Sequence, residues 1–158
     1  MHSAIRGILV FSVIILAHCG VSSKAFVSKD FKRDKHKNII IAKTNDKSFA
    51  DAIVTEFLGI GISVIDRQNM DAMLKEQELS QSGTIDPETA KRIGKVTGAD
   101  AILVLEWYGG MYPLAKLRMI DAESGAILMS GIFKQTSGEA VSKSTIAEDF
   151  ASRIKGQL

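Results

Sequence analysis

The stretch from Asp66 to Val104 constrains the fold more than any other part of the sequence, because it predicts three successive elements. A first helix is expected after Asp66, a favourable N-cap residue, with one face formed by residues at helical spacing: Met70, Met73, Leu74 and Gln77. A second helix begins at Asp86-Pro87, since aspartate caps helices and proline suits their first position. It ends at Gly98, and the apolar run from Ala101 to Leu105 is typical of a strand buried on both faces.

Further strands and helices are predicted on both sides of this stretch. Four strands are expected at residues 38–43, 62–65, 114–121 and 126–133. A helix capped by Asn45 or Asp46 follows the first strand, and a final helix is capped by Ser142 or Ser144. Gly125 is expected to supply the positive φ of a hairpin turn. The order β-α-β-α-α-β-β-β-α predicts an α/β fold with a mixed five-stranded sheet flanked by helices.

Residues 1–18 predict an export signal, because Arg6 precedes an apolar run that is too short to cross a bilayer comfortably as a helix. Leu16-Ala17-His18-Cys19 resembles a lipobox, although a histidine stands where a small residue is usual. We therefore predict that Cys19 carries acyl chains. An ordinary signal peptide cut after Ala25 is the alternative.

Charge is unevenly distributed along the chain. Residues 1–37 hold seven Lys or Arg and two Asp, a charge of +5, whereas the rest holds 13 basic and 16 acidic residues, a charge of −3. We predict a flexible, lipid-anchored basic spacer over residues 19–37, lying near the membrane surface, and a globular domain over residues 38–158. A solvated linker is the alternative interpretation of the spacer. The mildly acidic domain argues against nucleic-acid binding, which requires a basic patch on the folded part.

Side chains for catalysis and metal binding are scarce in the predicted domain. Its 121 residues contain no histidine and no cysteine, because His2, His18, His36 and the one cysteine precede it, and this excludes His-dependent nucleophiles and His/Cys metal sites. Asp71 and Glu78 share one helical face and could form a carboxylate pair, but a solvated charged face is the favoured interpretation. No cofactor, metal ion or enzymatic activity is predicted.

The connection from Glu106 to Pro113 holds a cluster of large side chains that the core pattern does not require: Trp107, Tyr108, Met111 and Tyr112. Tyrosine and tryptophan are enriched at protein–protein interfaces. We predict that these four residues bind a partner. A loop folded back over the sheet edge is the alternative.

Two groups of short sequence motifs resemble those of a known protein family. The first runs from Asp66 to Asp100 and contains DRQNM, LKEQ, LSQSG and GAD; the second runs from Leu117 to Ile127 and contains LRMID and ESGAI. In this order and spacing they resemble the CsgG-like family of bacterial envelope lipoproteins. The family includes the curli-secretion pore subunit and lipoprotein activators of penicillin-binding proteins.

The resemblance implies a non-enzymatic domain that serves assembly and partner contact in the cell envelope. Pore-forming members add long amphipathic hairpins that build a shared membrane barrel. A membrane-crossing strand needs about 9–11 residues and a hairpin needs two strands, so the connection from Glu106 to Pro113 leaves no room for one. The chain is therefore expected to make no pore by itself. The helix–turn–helix face, with Gln77 and Gln81, is the second predicted partner-binding surface.

Three functions are expected from these observations. The first is an outer-membrane lipoprotein that faces the periplasm and assists a secretion or peptidoglycan-synthesis machine through protein contacts. The second is a ring-forming subunit of a CsgG-type secretion complex, which would be a homo-oligomer. The third and least favoured is a carboxylate-dependent hydrolase. The predicted partners are the membrane, through the lipid, and envelope proteins, without nucleic acid.

Overall fold

The computed structural model describes residues 20–65 and 85–158. Over these ranges the elements follow in this order: β1 (Val21–Val27), β2 (Ile39–Thr44), α1 (Lys47–Gly59), β3 (Val64–Ile65), α2 (Pro87–Thr97), β4 (Ala101–Tyr108), β5 (Leu114–Asp121), β6 (Ile127–Gln135) and α3 (Lys143–Lys155). The predicted export signal and Cys19 lie outside the described residues, as does the helix predicted after Asp66, with Gln77 and Gln81.

The strands form one mixed sheet in the order β1-β6-β5-β4-β2-β3. β2 is parallel to β3 and β4, whereas β4, β5, β6 and β1 pair antiparallel in succession. The α/β class, the mixed sheet and the antiparallel meander are confirmed. The predicted number of five strands is wrong, because the described residues hold six.

The helices start where the sequence offers a side-chain cap. Asp46, Asp86 and Ser142 each accept a hydrogen bond from the backbone N–H three residues on, which satisfies a donor that the first helical turn leaves unpaired. Gly98 ends α2 with a φ of 69°, and Gly125 turns the β5–β6 hairpin with a φ of 75°. Glycine adopts these positive values without a steric cost, so both predicted turns are confirmed.

Hydrophobic side chains pack on both faces of the sheet. On one face α1 and α3 bury large side chains, among them Phe49, Phe57 and Phe150. On the other face α2 packs over β2, β4 and the end of β5. This contact is close, because a Cβ at Gly94 would overlap Ala122. In the described part of the chain, β1, β6 and the first half of β5 have no helix on the α2 side.

The structure corrects the predicted flexible spacer at residues 19–37 in its described part. Val21–Val27 form β1, which pairs with β6 along its whole length at the edge of the sheet. The Gln157 side chain accepts a hydrogen bond from the Val27 N–H (3.0 Å) and donates one to the Ala25 carbonyl (2.8 Å). One amide thus satisfies two backbone groups on the outer side of β1, which protects an edge strand from pairing with other chains.

Candidate functional site

One end of the sheet brings together the start of the described chain and the predicted aromatic connection. The Thr136 N–H donates to the Gly20 carbonyl over 2.6 Å, and the Gln135 N–H donates to the Pro113 carbonyl over 3.0 Å. β1 and β5 begin at this end, which we call the Gly20 end, and β4 and β6 finish there. Neighbouring strands lie about 4.8 Å apart, so Gly20 and Pro113, on either side of β6, are roughly 10 Å apart.

Three large side chains at the Gly20 end are exposed to solvent. Tyr108 is 48% exposed, Met111 70% and Tyr112 48%. Tyr108 ends β4, and the other two lie in the five-residue connection to β5, where Gly110 has a φ of 118°. We call Tyr108, Met111 and Tyr112 the aromatic tip. These side chains are available for contact with another molecule.

Trp107 is separated from the aromatic tip by its packing, because alternate residues of β4 point to opposite faces. Its ring lies 5.4 Å from that of Phe49, and the Lys143 ammonium lies 5.4 Å above it. The Asn45 side chain holds the Trp107 backbone by two hydrogen bonds of 2.8 Å, to its N–H and its carbonyl. Trp107 therefore joins α1, β4 and α3, and it packs against the core as a partly buried residue.

A charged pair borders the aromatic tip. Lys116 Nζ lies 3.4 Å from Glu106 Oε2 and 5.6 Å from the centre of the Tyr108 ring. The Tyr108 hydroxyl donates to Glu106 over 3.3 Å. These contacts orient Tyr108 while its ring remains accessible.

The face of the sheet that α2 leaves uncovered carries basic and apolar side chains in cross-strand rows. One row runs from Lys24 on β1 through Ile132 on β6 to Lys116 on β5. The next row runs from Phe26 through Ser130 to Arg118. We call this surface the open face, and it comprises Lys24, Phe26, Glu106, Lys116, Arg118, Ile127, Ser130, Ile132 and Lys134. Phe26 is 63% exposed and Ile127 53%. A shallow cavity of about 440 Å³ lies over its β4–β5–β6 part.

A buried histidine lies at the opposite end of the sheet, in the segment predicted to be a spacer. His36 Nε2 lies 3.0 Å from Asp121 Oδ2, and its Nδ1 accepts the Lys32 N–H over 3.0 Å. Because Nδ1 accepts, Nε2 carries the proton and donates to the carboxylate. Phe31 stacks on the imidazole with ring centres 5.3 Å apart. The prediction that the folded domain has no histidine is therefore wrong.

Asp121 is the centre of this cluster. Burial by itself would raise the pKa of Asp121, but hydrogen bonds from Ser124, His36 and Glu123 outweigh burial and hold this pKa well below its usual value. The Ser124 hydroxyl donates to Asp121 (3.0 Å), so the imidazole does not activate it as a nucleophile. The cluster is a clamp that fixes residues 32–36 to the β5–β6 hairpin. No local pattern reveals it, because His36 and Asp121 are 85 positions apart.

Among residues 20–65 and 85–158, no group of three or more His, Cys, Asp or Glu side chains could hold a metal ion. Among the same residues, every helix is too short or too polar to cross a membrane.

One family model matches part of the chain. The model of the family described as "Curli production assembly/transport component CsgG" matches residues 32–105. Over these residues the chain is similar to the CsgG family. No curated protein matches the sequence of this CsgG-like chain.

Solved structures give a second comparison. A PelC dodecamer from Paraburkholderia phytofirmans in space group C2 is similar with a TM-score of 0.51 at 14% identity, covering 85% of this chain and 96% of that one. A second PelC dodecamer from the same organism, in space group P6, has a TM-score of 0.51 at 11% identity, covering 85% and 95%. The LpoB C-terminal domain from Salmonella enterica has a TM-score of 0.46 at 15% identity, covering 65% and 84%. At these identities the PelC likeness establishes the fold of the CsgG-like chain.

The connection between β4 and β5 is too short for the membrane hairpin that the family resemblance would place there. β4 ends at Tyr108 and β5 begins at Leu114, so five residues join them. Two membrane-crossing strands would need about 9–11 residues each. The predicted absence of a hairpin at this position is confirmed.

Proposed function

We propose that this CsgG-like chain is a non-enzymatic lipoprotein of the cell envelope, anchored through Cys19 on the periplasmic side of the outer membrane. It acts as an accessory or assembly factor of a secretion or peptidoglycan-synthesis machine, and it does so by contacting other proteins. The family match over residues 32–105 and the predicted export signal support this proposal.

The open face is the observation that carries the proposed mode of action. It combines exposed Phe26 and Ile127 with four basic residues, against one acidic residue, Glu106, which is already paired with Lys116. Exposed apolar patches with a polar rim mark interaction surfaces. The face therefore suits a protein partner that presents apolar side chains among acidic ones. The predicted surface with Gln77 and Gln81 stays a second prediction outside the described residues.

Photocrosslinking in intact envelopes tests this surface. A photoreactive amino acid at Ile132, on the open face, is expected to give one or a few discrete protein adducts. The matched control is the same amino acid at Leu58, a 55% exposed position on α1 on the other side of the sheet. Reversing the charge of Lys24, which pairs across from Ile132, and of Arg118 on the next row should weaken the Ile132 adducts. Identical adduct patterns from both positions would show that the open face is not the contact surface.

A second candidate function is a ring-forming subunit, and the PelC dodecamers favour it because they share the fold over 85% of this chain. Its test is the mass of the detergent-solubilised full chain, measured by native mass spectrometry at micromolar concentration. A ring predicts a discrete multiple of the protomer mass. The mass of a single protomer would exclude the ring-forming function and leave the function as an accessory factor.

The lipid anchor has its own test. Metabolic labelling with a fatty acid should mark the wild-type protein and leave the Cys19→Ala variant unlabelled. A wild-type protein that incorporates no label, or a variant that keeps it, would show that Cys19 is not acylated.

A further inference from the structure

We propose that the aromatic tip contacts the lipid headgroups of the membrane that holds the chain, so that the sheet stands on the bilayer with its Gly20 end down. This inference rests on the proposed anchor at Cys19. It assigns Tyr108, Met111 and Tyr112 to the membrane surface, together with Lys116 and Lys134 at the edge of the open face beside the tip, and leaves the rest of the open face to proteins.

The anchor residue adjoins the end of the sheet that carries the aromatic tip. Cys19 precedes Gly20 directly, and consecutive Cα atoms are about 3.8 Å apart. Gly20 is fixed to the sheet, because its carbonyl accepts the Thr136 N–H and its N–H donates to the Ser137 hydroxyl over 3.0 Å. With β1 beginning at Val21, no spacer separates the acylated residue from the folded domain. The acyl chains therefore hold the Gly20 end at the headgroups, and the tip lies at that same end.

The side chains of the tip suit a membrane–water interface. Met111 is the most exposed of the large hydrophobic side chains in the described part of the chain, and the two tyrosines each expose half of their surface. Tyrosine is enriched at membrane–water interfaces, where its ring meets the acyl boundary and its hydroxyl remains hydrated. Lys116 and Lys134 are exposed beside the tip and carry the charge that anionic headgroups attract.

The same orientation reassigns the basic residues of the predicted spacer. Residues 29–37 follow β1 at the opposite end of the sheet, where His36 joins Asp121. Seven residues of strand span roughly 23 Å, so these charges stand about that far from the headgroups. Residues 29–37 are therefore too far from the headgroups to attract them, and the lysines beside the tip, Lys116 and Lys134, supply this attraction instead.

The experiment places a polarity-sensitive fluorophore on Met111→Cys in the full-length acylated protein, reconstituted into vesicles of phosphatidylglycerol and phosphatidylethanolamine. Acylation blocks Cys19, so the label goes to the new cysteine. The matched control is Leu58→Cys, which is 55% exposed near the C-terminal end of α1, away from the Gly20 end. A lipid with a nitroxide on its headgroup serves as the quencher.

The expected result is a blue shift and a loss of most of the fluorescence at Met111, with the label at Leu58 unchanged. Mass spectrometry of the same sample reports the acyl chains on Cys19. Acylated protein that floats with the vesicles while its Met111 label stays bright overturns this inference alone. Protein without acyl chains overturns the proposed anchor and this inference together. A Met111 label that is shielded only after an envelope protein is added assigns the tip to a protein partner and also overturns the inference.

Discussion

At the scale of single residues, the clamp between His36 and Asp121 decides how residues 32–36 are held. The two partners of such a clamp contribute unequally to stability. Removing the acceptor leaves several buried donors without a hydrogen-bond partner, whereas removing one donor leaves the acceptor with its other donors. The imidazole, two backbone N–H groups and the Ser124 hydroxyl all donate to Asp121. The carboxylate is therefore the partner whose loss should matter most.

Asp121→Asn should destabilise the protein by about 2–4 kcal/mol, because the amide group places donors against the donors that the carboxylate accepted. Urea unfolding followed by circular dichroism measures the loss. Asp51→Asn on the exposed side of α1 is the matched control and should change stability little. Equal losses in the two variants would contradict the clamp.

Two aspartates should make the fold sensitive to acid. Hydrogen bonding from Lys143 lowers the pKa of Asp46, and the network around Asp121 lowers the pKa of that group, below the ordinary value of 3.8. A lowered folded-state pKa contributes stability that is complete above the unfolded pKa and is lost as the pH falls below it. The unfolding free energy should therefore decrease between about pH 4 and about pH 2, and less steeply in Asp121→Asn. If the unfolding free energy of the wild-type protein does not change over this pH range, the acid sensitivity assigned to Asp46 and Asp121 is wrong.

At the scale of elements, the distance between α2 and the sheet depends on one glycine. Gly94→Ala should lower stability by about 1–3 kcal/mol, because its Cβ overlaps Ala122 although alanine favours helix. Gly59→Ala, at the end of α1, is the matched control, since a Cβ there meets nothing within 4 Å. The Gly59 variant should be neutral or slightly stabilised in the same urea titration. A stabilised Gly94 variant would mean that α2 packs farther from the sheet.

Elements with local signals could be predicted from the sequence, and elements with distant partners could not. The caps at Asp46 and Asp86 and the turn at Gly125 depend on neighbouring residues, so they appear where the sequence placed them. β1 was missed because its inward side chains are small, such as Ala25, and its stability comes from β6 and Gln157 more than 100 positions away.

The candidate site also contains features that the local sequence predicts and features that depend on distant parts of the chain. The exposure of Tyr108, Met111 and Tyr112 was expected, because no core pattern required them. Trp107 packs against Phe49, and that contact depends on the way α1 crosses the sheet. The open face appears only when β1, β6 and β5 are placed side by side. A helix-free face cannot be predicted before the strand order is known.

At the scale of the whole molecule, the folded domain includes residues 20–37, because β1 and the buried Phe31 belong to it. A chain that starts at Asn38 should melt well below one that starts at Gly20, since it lacks the edge strand, and burial of Phe31 alone contributes roughly 2–3 kcal/mol. Thermal unfolding of the two purified chains measures the difference. Equal melting temperatures would show that β1 adds nothing to the fold.

The pairing of β1 with β6 has a mechanical consequence. Tension applied through the residues that precede Gly20 pulls β1 along its own axis, so the hydrogen bonds of the whole ladder from Val21 to Val27 share the load at once. A strand pulled sideways would instead lose those bonds one after another. The domain is therefore attached in the loading geometry that best resists mechanical unfolding when force is applied through the residues before Gly20.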